Sequence, residues 1–352
     1  MALQRVLVTG GTGFLGSEIV RALVSTKDYE VTAVDINPPS LGTGTFETVR
    51  YVRANILQPE ELQRVFDEAK PAVVIHTVGV YQVGDARYGK KGREMVFEIN
   101  VTGTKNVVEA AKECGAMALV FTSSVTVLLD EMDAEFLNAD ETWSTGRATT
   151  TYGQSKTAAE NLVLAANTTD FATCSLRSAS IFGPNDPACM PILHQCIERG
   201  ETPFIIGTGT NLCDFVYVSN VADAHVLAVR NLLNSGTAAG EAFFITNGEP
   251  TTARDFCIGV WKEFGHVPSF QVRIPKALAW WLGWGAEWVS WATGAQGTLS
   301  RGIVWDATAT RYVSIVKARR ILGYQPRVGL PEALRITCRH FQKQIDGRSS
   351  KA

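Results

Sequence analysis

The chain has no surplus of charge: 33 lysines and arginines face 35 aspartates and glutamates, a formal net charge of −2 over 352 residues. That balance excludes the basic footprint of a nucleic-acid binder and a polybasic face for anionic membranes. Its seven cysteines (Cys114, Cys174, Cys189, Cys196, Cys213, Cys257, Cys338) are odd in number and never in C-x-x-C spacing. Neither a disulfide framework nor a zinc site is supported, so reduced thiols and no metal are expected. The first ten residues run into a strand pattern without the charged segment and long apolar stretch of a signal peptide, which makes a cytoplasmic location the default expectation. No repeat or low-complexity tract is present. What remains is a globular chain, 45% hydrophobic, long enough for one large or two moderate domains. A small molecule is the expected partner.

Val6-Leu7-Val8-Thr9 is a short apolar run, followed by Gly10-Gly11-Thr12-Gly13-Phe14-Leu15-Gly16 and a helical pattern carrying Ile19, Val20, Leu23 and Val24. Gly10, Gly13 and Gly16 stand in G-x-x-G-x-x-G spacing between strand and helix. Such a turn brings backbone N–H groups against a pyrophosphate, with the anion at the helix N-terminus. A second apolar run, Val31 to Val34, ends at Asp35, 19 residues past Gly16. A carboxylate there accepts hydrogen bonds from a ribose diol and repels a 2′-phosphate, which favours NAD over NADP.

Strand and helix patterns keep alternating: Arg50–Arg53, Glu60–Ala69, Ala72–His76, Met95–Cys114, then Ala118–Thr122 reaching Ser123 and Ser124. The alternation predicts an α/β fold, a Rossmann-like doubly wound parallel sheet; a smaller C-terminal substrate domain is a further expectation, tied to family resemblance. In such sheets ligands lie beyond the carboxyl ends of the strands, so His76, Thr77, Val78, Gly79 and Ser124 should line the crevice. His76 reads as a structural hydrogen-bonding residue. Tyr152 and Lys156, four apart, share one face of a predicted helix. A cation beside a phenol favours the phenolate, and the pair suits proton transfer at a hydroxyl or carbonyl.

With these residues in hand, the chain resembles the extended short-chain dehydrogenase/reductase family. The carriers are Thr9 to Gly16, Asn100-Val101-Thr102-Gly103-Thr104, Phe121-Thr122-Ser123-Ser124 and the Tyr152-x-x-x-Lys156 pair. The resemblance implies that Ser124 holds the substrate oxygen, Tyr152 is the general acid/base, Lys156 lowers the tyrosine pKa and binds the nicotinamide ribose, and Asn100 keeps a water in the proton relay. It also implies NAD contacts from Gly10, Thr12, Gly13, Phe14, Leu15, Gly16, Asp35, Asn55, Ile56, Thr77, Val78 and Ile181, besides Tyr152 and Lys156. Within that family the chain resembles the 3β-hydroxysteroid dehydrogenase branch, particularly sterol-4α-carboxylate 3-dehydrogenases, through His76-Thr77, Asp140 to Trp143, Thr208 to His225, Ala242 to Pro250 and Lys317 to Pro326.

Three positions depart from the family pattern. Asn55 stands where Asp is frequent, Ser178 where Pro is usual after Arg177, and Gly79 where a small apolar or hydroxyl residue is more usual. The implied function is NAD-dependent oxidation or reduction at a 3β-hydroxyl or 3-keto group of a hydrophobic polycycle, a steroid or terpenoid, with or without loss of a 4-carboxyl group. A reductase or epimerase for a phenolic ketone, polyketide or nucleotide sugar is the alternative.

The domain reading is an NAD-binding unit over 1–180, joined by a strand and helix from about 208–247, a mainly substrate-binding region over 181–345, and a flexible tail over 346–352. The loop from Ile181 to Pro187 reads as a hinge or lid. In the segment 276–293, Trp280, Trp284, Trp288 and Trp291 fall on one helical face at 100° per residue. Three readings stay open for it: a steroid pocket wall, an interfacial amphipathic helix, or a core or dimer helix. A peripheral contact with the endoplasmic reticulum membrane and a homodimer are further expectations.

Overall fold

The computed structural model describes residues 3–39, 44–82, 87–89, 92–129, 131–293 and 299–349. Its centre is a parallel sheet of seven strands: β1 (Gln4–Thr9), β2 (Tyr29–Asp35), β3 (Val49–Arg53), β4 (Val73–His76), β5 (Ala118–Ser124), β6 (Ala172–Ser178) and β7 (Ala242–Ile245). They lie in the order β7-β6-β5-β4-β1-β2-β3. The strand order reverses between β1 and β4, which opens a crevice at their carboxyl ends. Strands β4 and β5 are buried along their whole length, the signature of a sheet covered on both faces.

Two apolar cores do the covering. On one face α1 (Phe14–Thr26) contributes Ile19, Val20 and Leu23, and a later helix, Val218–Asn234, contributes Val221, Ala224 and Val229. On the other, α2 (Pro59–Ala69), α3 (Gly103–Glu113) and α4 (Thr151–Ala165) supply Leu62, Phe66, Val107, Ala159 and Val163. The predicted helix over 95–114 exists but is interrupted: Arg93–Phe97 passes through a π-helical turn, Glu98–Thr102, before α3 begins. Such turns are rare and frequent at functional sites.

The smaller region has its own core of Phe182, Met190, Tyr217, Phe256, Val260, Leu330, Leu334 and Cys338. Short strands form a separate two-stranded sheet beside it, Ser180–Phe182 pairing in parallel with Phe215–Tyr217. The helix Val316–Leu322, late in the chain, packs back on the first core through Ala318 and Leu322. The closing helix Leu330–Ser349 takes in the start of the segment expected as a tail, because its helical pattern runs on past Asp346; residues 350–352 lie outside the described ones.

The tryptophan segment is the helix Lys276–Thr293. Its buried line is Ala279 and Gly283, and a Cβ at Gly283 would lie 2.8 Å from the Ser300 carbonyl carbon. Glu287 fixes the helix by accepting from the Arg301 backbone amide at 2.8 Å and pairing with its guanidinium at 2.7 Å. The outward face therefore differs from the expected one. Trp281, Trp284 and Trp288 stand exposed in an edge-to-face ladder, Trp280 is half-buried at the border, and the side chain of Trp291 lies outside the described ones.

Candidate active site

Beyond β1 the chain turns at Gly10 with φ +74°, a left-handed conformation that glycine adopts readily. The amides of Gly10 and Gly11 donate to the Val34 carbonyl at 2.7 and 3.2 Å, and that of Gly13 to the Gly10 carbonyl at 3.0 Å. A Cβ at Gly16 would lie 1.9 Å from the Gly10 oxygen, so the close seating of α1 on the turn requires glycine. The first turn of α1 has neither an acidic residue nor a side-chain cap. Its amides and the positive end of its dipole fit a pyrophosphate.

Asp35 closes β2 and accepts from the amides of Thr12 at 3.3 Å and Asn37 at 3.0 Å, tying the glycine turn to the neighbouring strand. The Thr77 amide and hydroxyl both reach the Thr9 carbonyl, at 3.1 and 2.8 Å, stitching β1 to β4 where the order reverses, and Val78 packs beside Gly10. Asn55 and Ile56 follow β3. The Asn55 side-chain oxygen Oδ1 already accepts from the Leu57 amide at 3.0 Å, and Ile56 is buried against Gly103. Phe14 and Leu15 pack toward the smaller region's core, and Ile181 bridges that core and the first one. Arg53, opposite Asp35 on β3, donates to the Ile36 carbonyl at 3.2 Å and was not singled out by pattern.

At the other end of the crevice, Ser124 terminates β5 and its hydroxyl oxygen accepts from the Thr126 amide at 3.2 Å. Thr150 caps α4 by accepting from the Gly153 amide at 3.0 Å, which places Tyr152 in the first turn. The Tyr152 phenol is pushed up to about 12, burial being the largest cause and Tyr81 adding to it, while a hydrogen bond with Ser124 and the Arg87 cation pull it down. This differs from the expected lowering by Lys156. The buried ammonium donates instead to the Thr122 carbonyl at 2.8 Å and lies over the Phe121 ring at 4.7 Å. Burial lowers Lys156 to about 8, against the raising effect of Glu160.

Asn100 sits in the π turn, and its amide is taken up by protein groups. Its oxygen accepts from the Val80 amide at 2.8 Å, and its nitrogen donates to the Val80 carbonyl and the Ser155 hydroxyl, both at 2.9 Å. The side chain thus clamps the chain beyond β4. That clamp carries Gly79 over Lys156, where a Cβ would lie 2.9 Å from Nζ. It also sets Tyr81, half-exposed, edge-on to Tyr152 with ring centres 6.0 Å apart. The Ser178 hydroxyl donates to the Ser123 carbonyl at 3.3 Å, on the strand beside Ser124.

Two buried histidines support this end. His76 Nε2 meets the Thr104 hydroxyl at 2.9 Å, and that hydroxyl donates to the Asn100 carbonyl at 2.6 Å; Nε2 is therefore the protonated nitrogen, and Nδ1 accepts from Thr9 at 2.6 Å. Burial and then the Lys156 charge lower it to about 3, so it is neutral and structural. His225 donates to the Val221 carbonyl and accepts from the Thr122 hydroxyl, both at 2.8 Å. Thr122 thereby joins His225 to Lys156. Beneath them, Glu160 and Arg177 form a buried bidentate pair with N–O distances of 2.7 to 3.1 Å, and Ser175 donates to the same carboxylate at 2.7 Å. Glu160 was legible as the next step of the Tyr152-Lys156 face; Tyr81 and Arg87 lie outside any periodic pattern.

A Rossmann sheet, a glycine turn and a Ser-Tyr-Lys cluster across one crevice define an oxidoreductase of the short-chain dehydrogenase type. The chain belongs to the 3-beta hydroxysteroid dehydrogenase/isomerase family, whose model matches residues 7–276. It is 35% identical to the decarboxylating sterol-4-alpha-carboxylate 3-dehydrogenase of Saccharomyces cerevisiae, covering 95% of this chain and 97% of that one. Identity to the human enzyme of the same name is 30%, over 96% and 88% of the two chains. Among solved structures, Thermus thermophilus UDP-glucose 4-epimerase in complex with NAD superposes with a TM-score of 0.73 at 26% identity, covering 96% of this chain and 99% of that one.

Proposed function

We propose that the protein is an NAD-dependent dehydrogenase that oxidises the 3β-hydroxyl of a sterol carrying a 4-carboxyl group, which is then lost as carbon dioxide. The observation that carries the reading is the joint placement of Ser124, Tyr152 and Lys156 at the end of the crevice opposite Asp35. The names of the relatives supply the substrate class. The glycine turn and Asp35 would hold NAD, which when bound supplies the hydride acceptor. Ser124 donates to the substrate oxygen, and the Tyr152 phenolate takes its proton as the carbonyl forms. Lys156 acts through its charge and through the Thr122 carbonyl that fixes it. Oxidation at C3 leaves a β-keto acid; its C4–carboxyl bond pair moves onto the new carbonyl as carbon dioxide departs, so no further acid or base is required.

The reading is tested by following NADH absorbance with 4-carboxysterols, plain 3β-hydroxysteroids, triterpenoids and nucleotide sugars. Carboxysterols should give the highest kcat/KM. Turnover confined to nucleotide sugars would sink the reading.

We further infer that the outward face of the tryptophan helix rests in a lipid surface. Leu278, Trp281, Leu282, Trp284, Trp288 and Val289 are all exposed on it, and indole rings favour the membrane interface. Among the described residues no helix is long and apolar enough to cross a membrane, which leaves a peripheral contact. The protein should sediment with neutral phosphatidylcholine vesicles, and replacing Trp281, Trp284 and Trp288 by serine should release it. Equal sedimentation of both forms would remove the helix from this role.

A further inference from the structure

The Arg87 cation bears on Tyr152, and among the described residues it belongs to a cluster with a surplus of positive charge. Its guanidinium pairs with Asp306 at 3.3 Å. The same carboxylate accepts from Tyr88 at 2.6 Å and from Arg311 at 2.6 Å, so two arginines share one aspartate. Arg311 is otherwise consumed by the carbonyls of Ala134 and Met132, at 3.0 and 2.6 Å. Arg311 alone suffices to neutralise Asp306, and Arg87, the more exposed of the two, carries the excess charge.

The placement of Arg87 is built from both sides. The Tyr88 ring lies flat on Gly302, where a Cβ would come within 2.2 Å of it. Two residues after Arg87, the Gly89 carbonyl accepts from the hydroxyl of Thr151, the neighbour of Tyr152, at 3.4 Å. The cation is thus anchored to the start of the helix that carries the phenol and to the helix Arg301–Thr308. A 4-carboxyl group stands on the carbon next to the one whose oxygen Tyr152 would serve, so a cation held near the phenol is the group suited to receive it. Lys156 is committed to the Thr122 carbonyl.

We propose that Arg87 is the specificity-determining residue that receives the substrate carboxylate, with Asp306, Tyr88 and Arg311 holding it in place. The proposal rests on the reading of the protein as a carboxysterol dehydrogenase. A guanidinium offers donors enough to keep the Asp306 contact and still bind a carboxylate. The interaction is made in the ground state and persists through oxidation, so it acts mainly on KM.

The test compares kcat/KM for a 4-carboxysterol with that for the same sterol lacking the carboxyl group, in the wild-type protein and in Arg87→Met and Arg87→Lys. The ratio is expected to fall by about 10- to 100-fold in Arg87→Met, the worth of a charge-assisted contact, with the loss in KM. Arg87→Lys should recover part of it. A ratio unchanged in an Arg87→Met protein that still turns over the sterol lacking the carboxyl group overturns the proposal, and since misfolding lowers both substrates alike it cannot produce the expected fall. If the wild-type protein uses neither sterol, the functional reading fails, a result distinct from an unchanged ratio.

Discussion

Tyr152→Phe should lower turnover by at least about two orders of magnitude while NAD binding stays nearly intact. The phenol is the only described group hydrogen-bonded with Ser124 that can move a proton at neutral or alkaline pH, because His76 and His225, at about 3 and 4, stay neutral. The ring itself is retained in phenylalanine, so its edge-on contact with Tyr81 is preserved. The sign of the pH dependence follows. Above about pH 8 Lys156 loses the charge through which it acts; below that, oxidation needs phenolate, and with the phenol near 12 the ionised fraction grows with pH, so the oxidative rate should rise between about pH 6 and 8. Reduction needs the phenol and should be flat there. Near wild-type turnover by the phenylalanine variant, or an oxidative rate falling between about pH 6 and 8, where Lys156 keeps its charge, would contradict the assignment.

Glu160→Ala should be the most destabilising single change at this end of the molecule. Both partners of the Glu160–Arg177 pair are almost fully buried, and removing the carboxylate strands a guanidinium that already has one nitrogen, Nη1, without a partner. An uncompensated buried charge costs about 3–5 kcal/mol. The pair also ties α4 to β6, so loosening it displaces Lys156 one turn away. Chemical denaturation should show a lower midpoint with an unchanged slope, and Glu160→Met with Arg177→Met should recover much of the loss. A Glu160→Ala protein as stable as the wild type would show that the pair contributes nothing.

These two predictions mark where sequence and structure part. The glycine turn, Asp35 and the Tyr152-Lys156 face were legible because each depends on local geometry: a strand-to-helix turn, a strand end, a helical period. The parallel sheet followed from alternation alone. The tasks of Asn100 and Lys156 were not legible, because they depend on which backbone groups come near after folding: Val80 for one, the Thr122 carbonyl for the other. The tryptophan helix shows the same limit. Periodicity grouped Trp280 with Trp284 and Trp288, but the buried line of Ala279 and Gly283, set by contact with Ser300 and Arg301, turned Trp281 outward in its place. Arg87 joined the site through Asp306, 219 positions away, a pairing that no spacing encodes.

The most direct measurement is the mass of the NADH formed from a 4-carboxysterol deuterated at the 3α position. Hydride transfer from the carbon bearing the 3β-hydroxyl predicts one deuterium in the reduced cofactor, a slower rate than with the unlabelled sterol wherever that step limits, and release of carbon dioxide only after oxidation. Reduced cofactor without deuterium, or carbon dioxide released in the absence of NAD, would contradict it.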